Sequence, residues 1–191
     1  MSPEAEAVAV YGGSFDPPHM AHVLGAAYAL AVEPIAGVIV VPVCEHAFPK
    51  RPVAFEHRVR MCELAFSGLS NVEVSRIEAE LEKPNRTLAT LKRLLADHPS
   101  WRLRLLIGSD VLGETSKWHA FDEVEKLAPP LVVTRYGFEH PDHGPPQLPN
   151  ISSTEVRNLL SRRGDERALG LLRRWVPWRV LAYIDAHGLY R

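Results

Sequence analysis

Residues 12–22 read Gly-Gly-Ser-Phe-Asp-Pro-Pro-His-Met-Ala-His and lie between the apolar run 8–11 and the Ala- and Leu-rich run 23–32. This order predicts a strand, a glycine turn and the start of a helix. A helix start presents unpaired backbone N–H groups and roughly half a positive charge, and adjacent glycines let an anion approach the backbone closely. The segment therefore predicts a phosphate-binding turn in an α/β fold.

Two histidines, His19 and His22, stand three residues apart at this helix start and so share one face of it. A P-loop would place Gly-Lys-Ser/Thr here, and a dinucleotide-binding turn would carry three glycines in a GxGxxG pattern. The sequence has neither pattern. A bare pair of this kind also fits two surface histidines or half of a zinc site, but the preceding glycine turn favours phosphate binding.

The composition of the 191 residues favours a small-molecule substrate over nucleic acid, because 22 Lys and Arg balance 23 Asp and Glu. The two cysteines, Cys44 and Cys62, form neither a CxxC pair nor a metal-ligand spacing, so we expect free thiols in a reducing cytoplasm. The N-terminus lacks the basic-then-apolar pattern of a secretion signal, and no apolar run approaches the roughly 20 residues of a membrane helix. We therefore expect a cytoplasmic protein with no membrane partner.

The apolar runs predict buried parallel strands that alternate with helices, the pattern of a Rossmann-like, doubly wound α/β sheet with helices on both faces. The predicted strands are residues 8–11, 37–43, 103–107 and 131–134, with a weaker fifth at 72–74, and the predicted helices are residues 20–32, 55–67, 88–97 and 121–127. We expect residues 1–191 to form one domain, of which about 150–191 make a small helical C-terminal region. The loops after the strands should converge at one sheet edge, where such folds bind ligands.

Two segments carry a family resemblance. Residues 12–22 resemble the GxFDPxHxxH signature of the nucleotidylyltransferase superfamily, and Ile-Ser-Ser-Thr-Glu-Val-Arg at 151–157 resembles its ISSTxxR signature. Within this superfamily the chain is most similar to the nicotinate-nucleotide adenylyltransferase family, whose further segments fall in order at 55–58, 87–91, 107–110, 118–119 and 187–190. The resemblance implies an enzyme of NAD biosynthesis that joins ATP, with Mg²⁺ on its triphosphate, to nicotinate mononucleotide and releases pyrophosphate. It is compatible with a homo-oligomer.

Adenylyl transfer of this kind requires the mononucleotide phosphate to attack the α-phosphorus of ATP in line, without a covalent intermediate on the protein. The protein must position two anions that repel each other and stabilise the charge that grows on the departing pyrophosphate. The resemblance implies four catalytic residues and no metal ligand of the protein's own: His19, His22, Lys50 and Arg157. His22 is expected at the transferred phosphate. Lys50 and Arg157 also fit solvated surface charges.

The ATP-binding residues that the resemblance implies lie in three segments: Gly12, Gly13, Ser14 and Phe15, then Gly108 and Asp110, then Ser153 and Thr154. Asp110 is expected to accept hydrogen bonds from the ribose hydroxyls of ATP. Ser153 and Thr154 would offer hydroxyl and backbone N–H groups to the β- or γ-phosphate, and an ordinary helix N-cap is the alternative. Asp16 is expected to fix the turn rather than to bind ligand.

The acceptor site implied by the resemblance consists of Arg86, Thr87, Thr90 and Trp118. The indole of Trp118 would stack on the pyridine ring, and the two threonines would bring backbone and hydroxyl groups to the nucleotide. Packing of Trp118 within the protein and helix capping by Thr87 are the alternatives.

The acceptor side is also where the chain departs from the family pattern. Residues 47–50 read Ala-Phe-Pro-Lys in place of Pro-Pro-His-Lys, and Asn85-Arg86 stands where the family has Ser-Tyr. Two interpretations are open. Arg86 and Phe48 would reshape the pocket so that it prefers nicotinamide mononucleotide or another phosphorylated acceptor. Alternatively, Arg86 would attract the nicotinate carboxylate.

Two other functions fit parts of the sequence. Phosphopantetheine adenylyltransferase and glycerol-3-phosphate cytidylyltransferase share the first signature, but Trp118 and the Thr-x-x-Thr stretch favour a pyridine acceptor. A nucleotide-binding module that has lost turnover would keep the fold. The intact His19, His22, Lys50 and Arg157 argue against such a module.

Overall fold

Five parallel strands form one sheet, in the order β3-β2-β1-β4-β5. The computed structural model describes residues 6–45, 52–115, 118–139, 144 and 147–191. The strands are β1 (Glu6–Gly13), β2 (Gly37–Pro42), β3 (Val72–Val74), β4 (Trp101–Gly108) and β5 (Pro130–Val133). The chain order reverses between the neighbours β1 and β4, and doubly wound sheets bind ligands at such a reversal.

Helices connect these strands and form the C-terminal region. The α-helices of the described residues are α1 (Met20–Val32), α2 (Phe55–Phe66), α3 (Thr87–Asp97), α4 (Ser109–Leu112), α5 (Phe121–Leu127), α6 (Ser153–Leu160), α7 (Glu166–Trp175) and α8 (Trp178–Ala186), and a 3₁₀ turn spans Ile77–Glu80. Among the residues that the structure describes, no helix is long and apolar enough to cross a membrane.

The sheet is buried on both faces, which explains the continuous apolar runs of its strands. In β1, Ala9 packs in one core cluster, while its neighbours Val8 and Val10 pack in a second one. The first cluster contains residues of α1, α2, α6, α7 and α8, and the second contains residues of α3 and α5. Alternate residues of a strand point to opposite faces, so helices cover both sides. The predicted Rossmann-like fold and its helical C-terminal region are confirmed.

The glycine pair belongs to β1 rather than to the turn after it. Gly12 pairs with Val41 and Gly13 pairs with Pro42 in the ladder between β1 and β2, so the strand is longer than its apolar run predicts. The turn itself starts at Ser14.

Candidate active site

A cavity of about 540 Å³ opens where the carboxyl ends of β1 and β4 meet the start of α6. Its lining residues come from six parts of the chain: Ser14, Phe15, Asp16, His19, His22, Pro52, Val53, Asp110, Val111, Arg135, Ser152, Ser153, Thr154, Arg157 and Tyr190. The predicted residues of both signatures therefore lie together here, apart from the two glycines. Lys50 falls outside the described residues.

The turn after β1 is built around the ring of Phe15. This side chain is 1% exposed and its φ of +47° lies in the left-handed region, which is costly for a residue other than glycine. Its ring meets that of His22 at 4.8 Å between centroids. A Cβ at Gly13 would stand 3.1 Å from the ring, whereas one at Gly12 would meet nothing within 4 Å. A side chain at Gly13 would therefore press on the buried ring of Phe15.

His19 and His22 form a stacked pair at the start of α1, with ring centroids 3.8 Å apart. The backbone N–H of His19, the N-cap residue, donates to Nδ1 of His22 at 3.1 Å. Nδ1 of His22 is therefore an acceptor, and in the neutral ring the proton lies on Nε2. Nδ1 of His19 is buried and has no hydrogen-bond partner among the described residues. That atom is a buried polar group left for a ligand or a water molecule to satisfy.

Both imidazoles are uncharged at neutral pH. Burial and, to a smaller extent, the positive charge of Arg135 together lower the pKa of His19 to about 3. Burial also lowers the pKa of His22 well below its usual value, with added effects of His19 and Arg135. The pair thus presents neutral N–H donors to the cavity. The zinc alternative gains no support, because the described residues contain no group of three or more His, Cys, Asp or Glu arranged to hold a metal.

Asp110 also lines the cavity, in the first turn of α4, and is held by Arg135. The Arg135 guanidinium donates to Oδ2 of Asp110 at 2.7 Å and also to the backbone carbonyl of Ile151. The backbone N–H of Arg135 donates to the hydroxyl of Ser109 at 2.9 Å. A Cβ at Gly108 would collide with Oδ1 of Asp110, so a side chain at this position would displace the carboxylate from its present place. Arg135 thereby joins the ends of β4 and β5 to the second signature.

The second signature begins with a capping box. The Ser152 hydroxyl accepts from the backbone N–H of Glu155, whose carboxylate accepts from the backbone N–H of Ser152 at 3.0 Å. Ser152 is therefore the N-cap of α6. Ser153 and Thr154, which do not cap the helix, lie in its first turn and line the cavity. The backbone N–H groups of a first helical turn have no carbonyl partner within the helix.

Arg157 and Ser153 join the two signatures. The Arg157 guanidinium donates to the backbone carbonyl of Asp16 at 2.6 Å and to the Thr154 hydroxyl at 3.1 Å. The Ser153 hydroxyl donates to the carbonyl of Pro17 at 3.0 Å. Segments more than a hundred residues apart in sequence thus form one wall of the cavity.

Asp16 supports the site through contacts with remote elements rather than within its own turn. Oδ1 of Asp16 accepts from the backbone N–H of Val53 at 3.2 Å and from the hydroxyl of Tyr190 at 2.6 Å. Oδ2 lies 3.6 Å from the guanidinium of Arg157. The expected supporting role of Asp16 agrees with these contacts, although the partners are not those of a local turn.

Arg58 ties the glycine turn to the loop after β2. The side chain is 1% exposed and donates to the carbonyls of Ser14, Val43, Cys44 and Val53 at distances between 2.7 and 3.3 Å. Arg58 and Tyr190 belong to the family-like segments 55–58 and 187–190, but sequence reasoning assigned a role to neither of them, and it did not notice Arg135. For Arg135 a signal was present, because it follows β5 at the sheet edge where ligands bind.

The predicted acceptor residue Thr90 lies in a buried polar network instead of the cavity. Its hydroxyl donates to the Glu78 carboxylate at 3.2 Å, and that carboxylate also accepts from the backbone N–H of Cys44 at 2.9 Å. Burial raises the pKa of Glu78. The side chain of Asn85 donates to the Glu78 carbonyl at 2.8 Å and accepts from the backbone N–H of Glu45 at 2.9 Å. Asn85 therefore fixes the chain just before segment 46–51.

The other predicted acceptor residues lie at helix starts and do not line the cavity. Helix α3 begins at Thr87 and its N-cap is Arg86, so Thr87 is not the cap that the alternative interpretation expects. Arg86 is exposed and makes no side-chain capping bond. The ring of Trp118 packs edge-on to Phe121 at 5.9 Å and against the second core cluster. Acceptor binding by these residues stays a prediction, and Phe48 lies outside the described residues.

Known proteins resemble this chain along nearly its whole length. Residues 10–159 match the cytidylyltransferase-like family. The probable nicotinate-nucleotide adenylyltransferase of Anaeromyxobacter dehalogenans is 44% identical over 187 residues, which are 96% of each chain. The protein of the same name from Myxococcus xanthus is 39% identical and covers 96% of this chain and 94% of its own.

Solved structures share the fold. The Plasmodium falciparum nicotinic acid mononucleotide adenylyltransferase complexed with NaAD superposes with a TM-score of 0.82 over 97% of both chains, at 20% identity. A putative nicotinate-nucleotide adenylyltransferase from Vibrio parahaemolyticus gives a TM-score of 0.73 over 97% of this chain and 96% of its own. Because both signatures line one cavity and the bacterial relatives are 39% and 44% identical over nearly the whole chain, this chain belongs to the nicotinate-nucleotide adenylyltransferase family.

Proposed function

We propose that this protein transfers the adenylyl group of ATP to nicotinate mononucleotide, giving nicotinic acid adenine dinucleotide and pyrophosphate in NAD biosynthesis. The observation that carries the proposal is the stacked pair of His19 and His22, which lines one cavity together with Arg157 and the first turn of α6. The Anaeromyxobacter and Myxococcus relatives bear the name of this activity.

In the proposed reaction an oxygen of the mononucleotide phosphate attacks the α-phosphorus of ATP. The bond from that phosphorus to the bridging oxygen of pyrophosphate breaks, and negative charge grows on the leaving group. The Nε2–H of neutral His22 donates to the phosphate group under transfer, and His19 binds the triphosphate beside it. Hydrogen-bond donors that are fixed in place before the reaction stabilise the charge that develops in the transition state, without a cost of reorganisation.

The leaving pyrophosphate is assigned to the wall that Arg157 forms with the start of α6. The backbone N–H groups of Ser153 and Thr154 and the α6 dipole favour an anion there. Lys50 is proposed to add a further positive charge. Mg²⁺ enters as part of MgATP, where phosphate oxygens supply its preferred hard ligands.

Asp110 is proposed to bind the ribose of ATP. Arg135 occupies its Oδ2, and Oδ1 is left to accept from a ribose hydroxyl. The backbone at Gly12, Ser14 and Gly108 is proposed to lie along the nucleotide. Removal of the Arg135 contact would free the carboxylate to move, so ribose binding depends on both residues.

Nicotinate mononucleotide is proposed to bind near the start of α3, with its carboxylate toward the exposed Arg86. The N–H groups of the first helical turn at Thr87 add a positive end to this surface. Trp118 is proposed to stack on the pyridine ring, and Thr90 supports the surface from the interior through Glu78.

The proposed function is tested by pyrophosphate release from MgATP. Nicotinate mononucleotide, nicotinamide mononucleotide and phosphopantetheine are offered separately, with a reaction lacking acceptor as the blank. We expect the highest kcat/KM with nicotinate mononucleotide. ATP binding without turnover of any acceptor would contradict the proposal and favour a binding module, and preference for phosphopantetheine would favour the related transferase.

We further propose that residues 1–191 act as one domain in the cytoplasm, with ATP and the mononucleotide as partners. Two observations support this: Cys44 and Cys62 are free thiols, and the net charge of −1 does not favour nucleic acid. A homo-oligomer is compatible with this proposal, and size-exclusion chromatography with light scattering measures it.

A further inference from the structure

The chain reverses sharply after α8, its last helix. Gly188, with φ of +60°, donates its N–H to the Asp185 carbonyl at 3.3 Å, and the N–H of Leu189 donates to the Ile184 carbonyl at 3.0 Å. This pair of bonds is a Schellman motif, which satisfies carbonyls at the helix end and requires a left-handed residue. The final residues therefore leave α8 in a defined direction.

That direction brings the penultimate residue, Tyr190, to the cavity. Tyr190 is half-buried, lines the cavity and has φ of +60°. The guanidinium of Arg163 donates to the carbonyl of Leu189 at 3.3 Å and anchors the segment from the other side. A left-handed tyrosine persists only where its surroundings fix it, so the placement of this ring is over-determined by its contacts.

The hydroxyl of Tyr190 is a permanent donor to Asp16. It lies 2.6 Å from Oδ1, a distance typical of a charge-assisted O–H···O⁻ bond. Burial and the neighbouring carboxylate of Asp16 raise the pKa of Tyr190, so the hydroxyl keeps its proton throughout the neutral range. The bond joins residues 174 positions apart and ties the end of the chain to the first signature.

Asp16 is a negative charge at the edge of a cavity that is suited to a triphosphate. Its Oδ2 lies 3.6 Å from the Arg157 guanidinium, whose bonds run instead to the Asp16 carbonyl and to Thr154. A carboxylate with fewer donors would attract Arg157 more strongly and compete with phosphate for it. The hydroxyl of Tyr190 supplies one of the donors that disperse this charge.

We propose that Tyr190 is a positioning residue of the reaction: by holding Asp16 it keeps the Arg157 guanidinium available to the triphosphate of ATP. This inference rests on the proposed function. Tyr190 touches neither the transferred phosphate nor the acceptor in this role, and its effect passes entirely through Asp16.

The test compares Tyr190→Phe with Tyr183→Phe. Tyr183 is a matched control, because its half-buried ring lies on α8 and its hydroxyl lies 2.9 Å from Nδ1 of His57, away from the cavity. Phenylalanine keeps the ring and its packing in both variants. We expect Tyr190→Phe to lower kcat/KM for ATP about tenfold and to leave the KM for nicotinate mononucleotide within about twofold of wild type. Tyr183→Phe should leave kcat/KM for ATP and the KM for nicotinate mononucleotide unchanged. Each variant loses one hydroxyl hydrogen bond, so the two should lower the Tm by similar amounts.

A double-mutant cycle with Asp16→Asn identifies the route of the effect. Tyr190→Phe should cause no further loss of kcat/KM in the Asp16→Asn background, because the charge that it disperses is absent. Equal kinetic effects of Tyr190→Phe and Tyr183→Phe, or additive losses in the cycle, would overturn the inference.

A binding measurement separates this inference from the proposed function. The affinity of each variant for a non-hydrolysable ATP analogue is measured by calorimetry, without any acceptor. If wild type turns over no mononucleotide, the proposed function is wrong, and the inference for Tyr190 is then decided by this affinity alone. We expect Tyr190→Phe to weaken it at least about fivefold, and an unchanged affinity would overturn the inference.

Discussion

The backbone N–H of His19 donates a hydrogen bond to Nδ1 of His22 across 3.1 Å. His19 is the N-cap of α1 and His22 its third residue, so the side chain of His22 takes the place of the Glu or Gln of a capping box. The three-residue spacing therefore has two effects. It satisfies a backbone donor at the helix start, and it fixes the tautomer that leaves the Nε2–H of His22 free to donate.

The first prediction separates these two effects at His22. We expect His22→Ala to lower kcat by about a hundredfold or more, because the donor acts chiefly on charge in the transition state. Glutamine can accept from the His19 N–H and still donate an N–H, whereas glutamate can only accept. His22→Gln should therefore retain part of the activity, and His22→Glu should be as inactive as His22→Ala.

Thermal unfolding and steady-state kinetics check this prediction together. The Gln and Glu variants should match wild type in Tm, and the Ala variant should be slightly less stable through loss of the cap. The exposed His98, which stacks on Trp101 and does not line the cavity, serves as the control, and His98→Ala should leave kcat unchanged. Equal activity of the Gln and Glu variants would show that proton donation by this residue is not needed.

The second prediction concerns how the free energy of unfolding depends on pH. His19 is buried and neutral in the folded protein, with its pKa lowered to about 3, whereas the unfolded chain binds a proton at about 6.5. The unfolded state then binds more protons as the pH falls below about 6.5, so the free energy of unfolding decreases. From pH 7.5 to pH 5 this single group removes about 2 kcal/mol.

Urea unfolding at these two pH values, for wild type and His19→Asn, provides the measurement. Asparagine is a favourable N-cap residue and does not titrate, so the variant should keep the helix start and lose less stability on acidification. Carboxylates contribute equally to both proteins and cancel in the comparison. The same pH dependence in both proteins would mean that His19 is charged or solvated in the folded state.

Most of the fold was predictable from the sequence, because parallel strands that are buried on both faces appear as continuous apolar runs. The end of β1 was not, since Gly12 and Gly13 carry no apolar side chain and are held in the strand by their ladder partners on β2. The four-residue helix α4 was also missed, because a segment of that length shows no helical period.

The two signatures indicated which of their residues meet in the cavity, but a residue whose partners are distant in sequence could not be given a role. Arg135 belongs to no recognised segment, and Arg58 and Tyr190 lie in family-like segments that do not reveal their partners. These partners are carbonyls or carboxylates of distant segments. Such a contact exists only in the folded chain. Thr90 bonds to the buried Glu78, a contact that no recognisable motif indicated, and its role in acceptor binding stays a prediction.

The third prediction concerns the ion pair of Asp110 and Arg135. We expect Asp110→Ala to raise the KM for ATP at least about tenfold with a smaller effect on kcat, because ribose binding precedes the chemical step. Arg135→Lys should act in the same direction, since one ammonium cannot serve Asp110 and the Ile151 carbonyl together.

Arg104→Lys, which disturbs bonds to the Pro129 and Pro130 carbonyls at the other end of the sheet, is the matched control. A loss confined to kcat would assign Arg135 to the transferred phosphate instead.

The last prediction addresses Arg86 and the choice between nicotinate and nicotinamide mononucleotides. Arg86 is the exposed N-cap residue of α3 and makes no capping bond, so Arg86→Ala should leave the Tm nearly unchanged. Nicotinate carries a carboxylate that nicotinamide lacks, and only the acid should lose an interaction with the guanidinium. We expect kcat/KM for the acid to fall about tenfold, with little change for the amide, when both are assayed in competition. Arg60→Ala, which removes an exposed arginine of α2 that pairs with Glu63, should keep the wild-type ratio. An acid-to-amide ratio that survives Arg86→Ala would place recognition of the carboxylate on other residues.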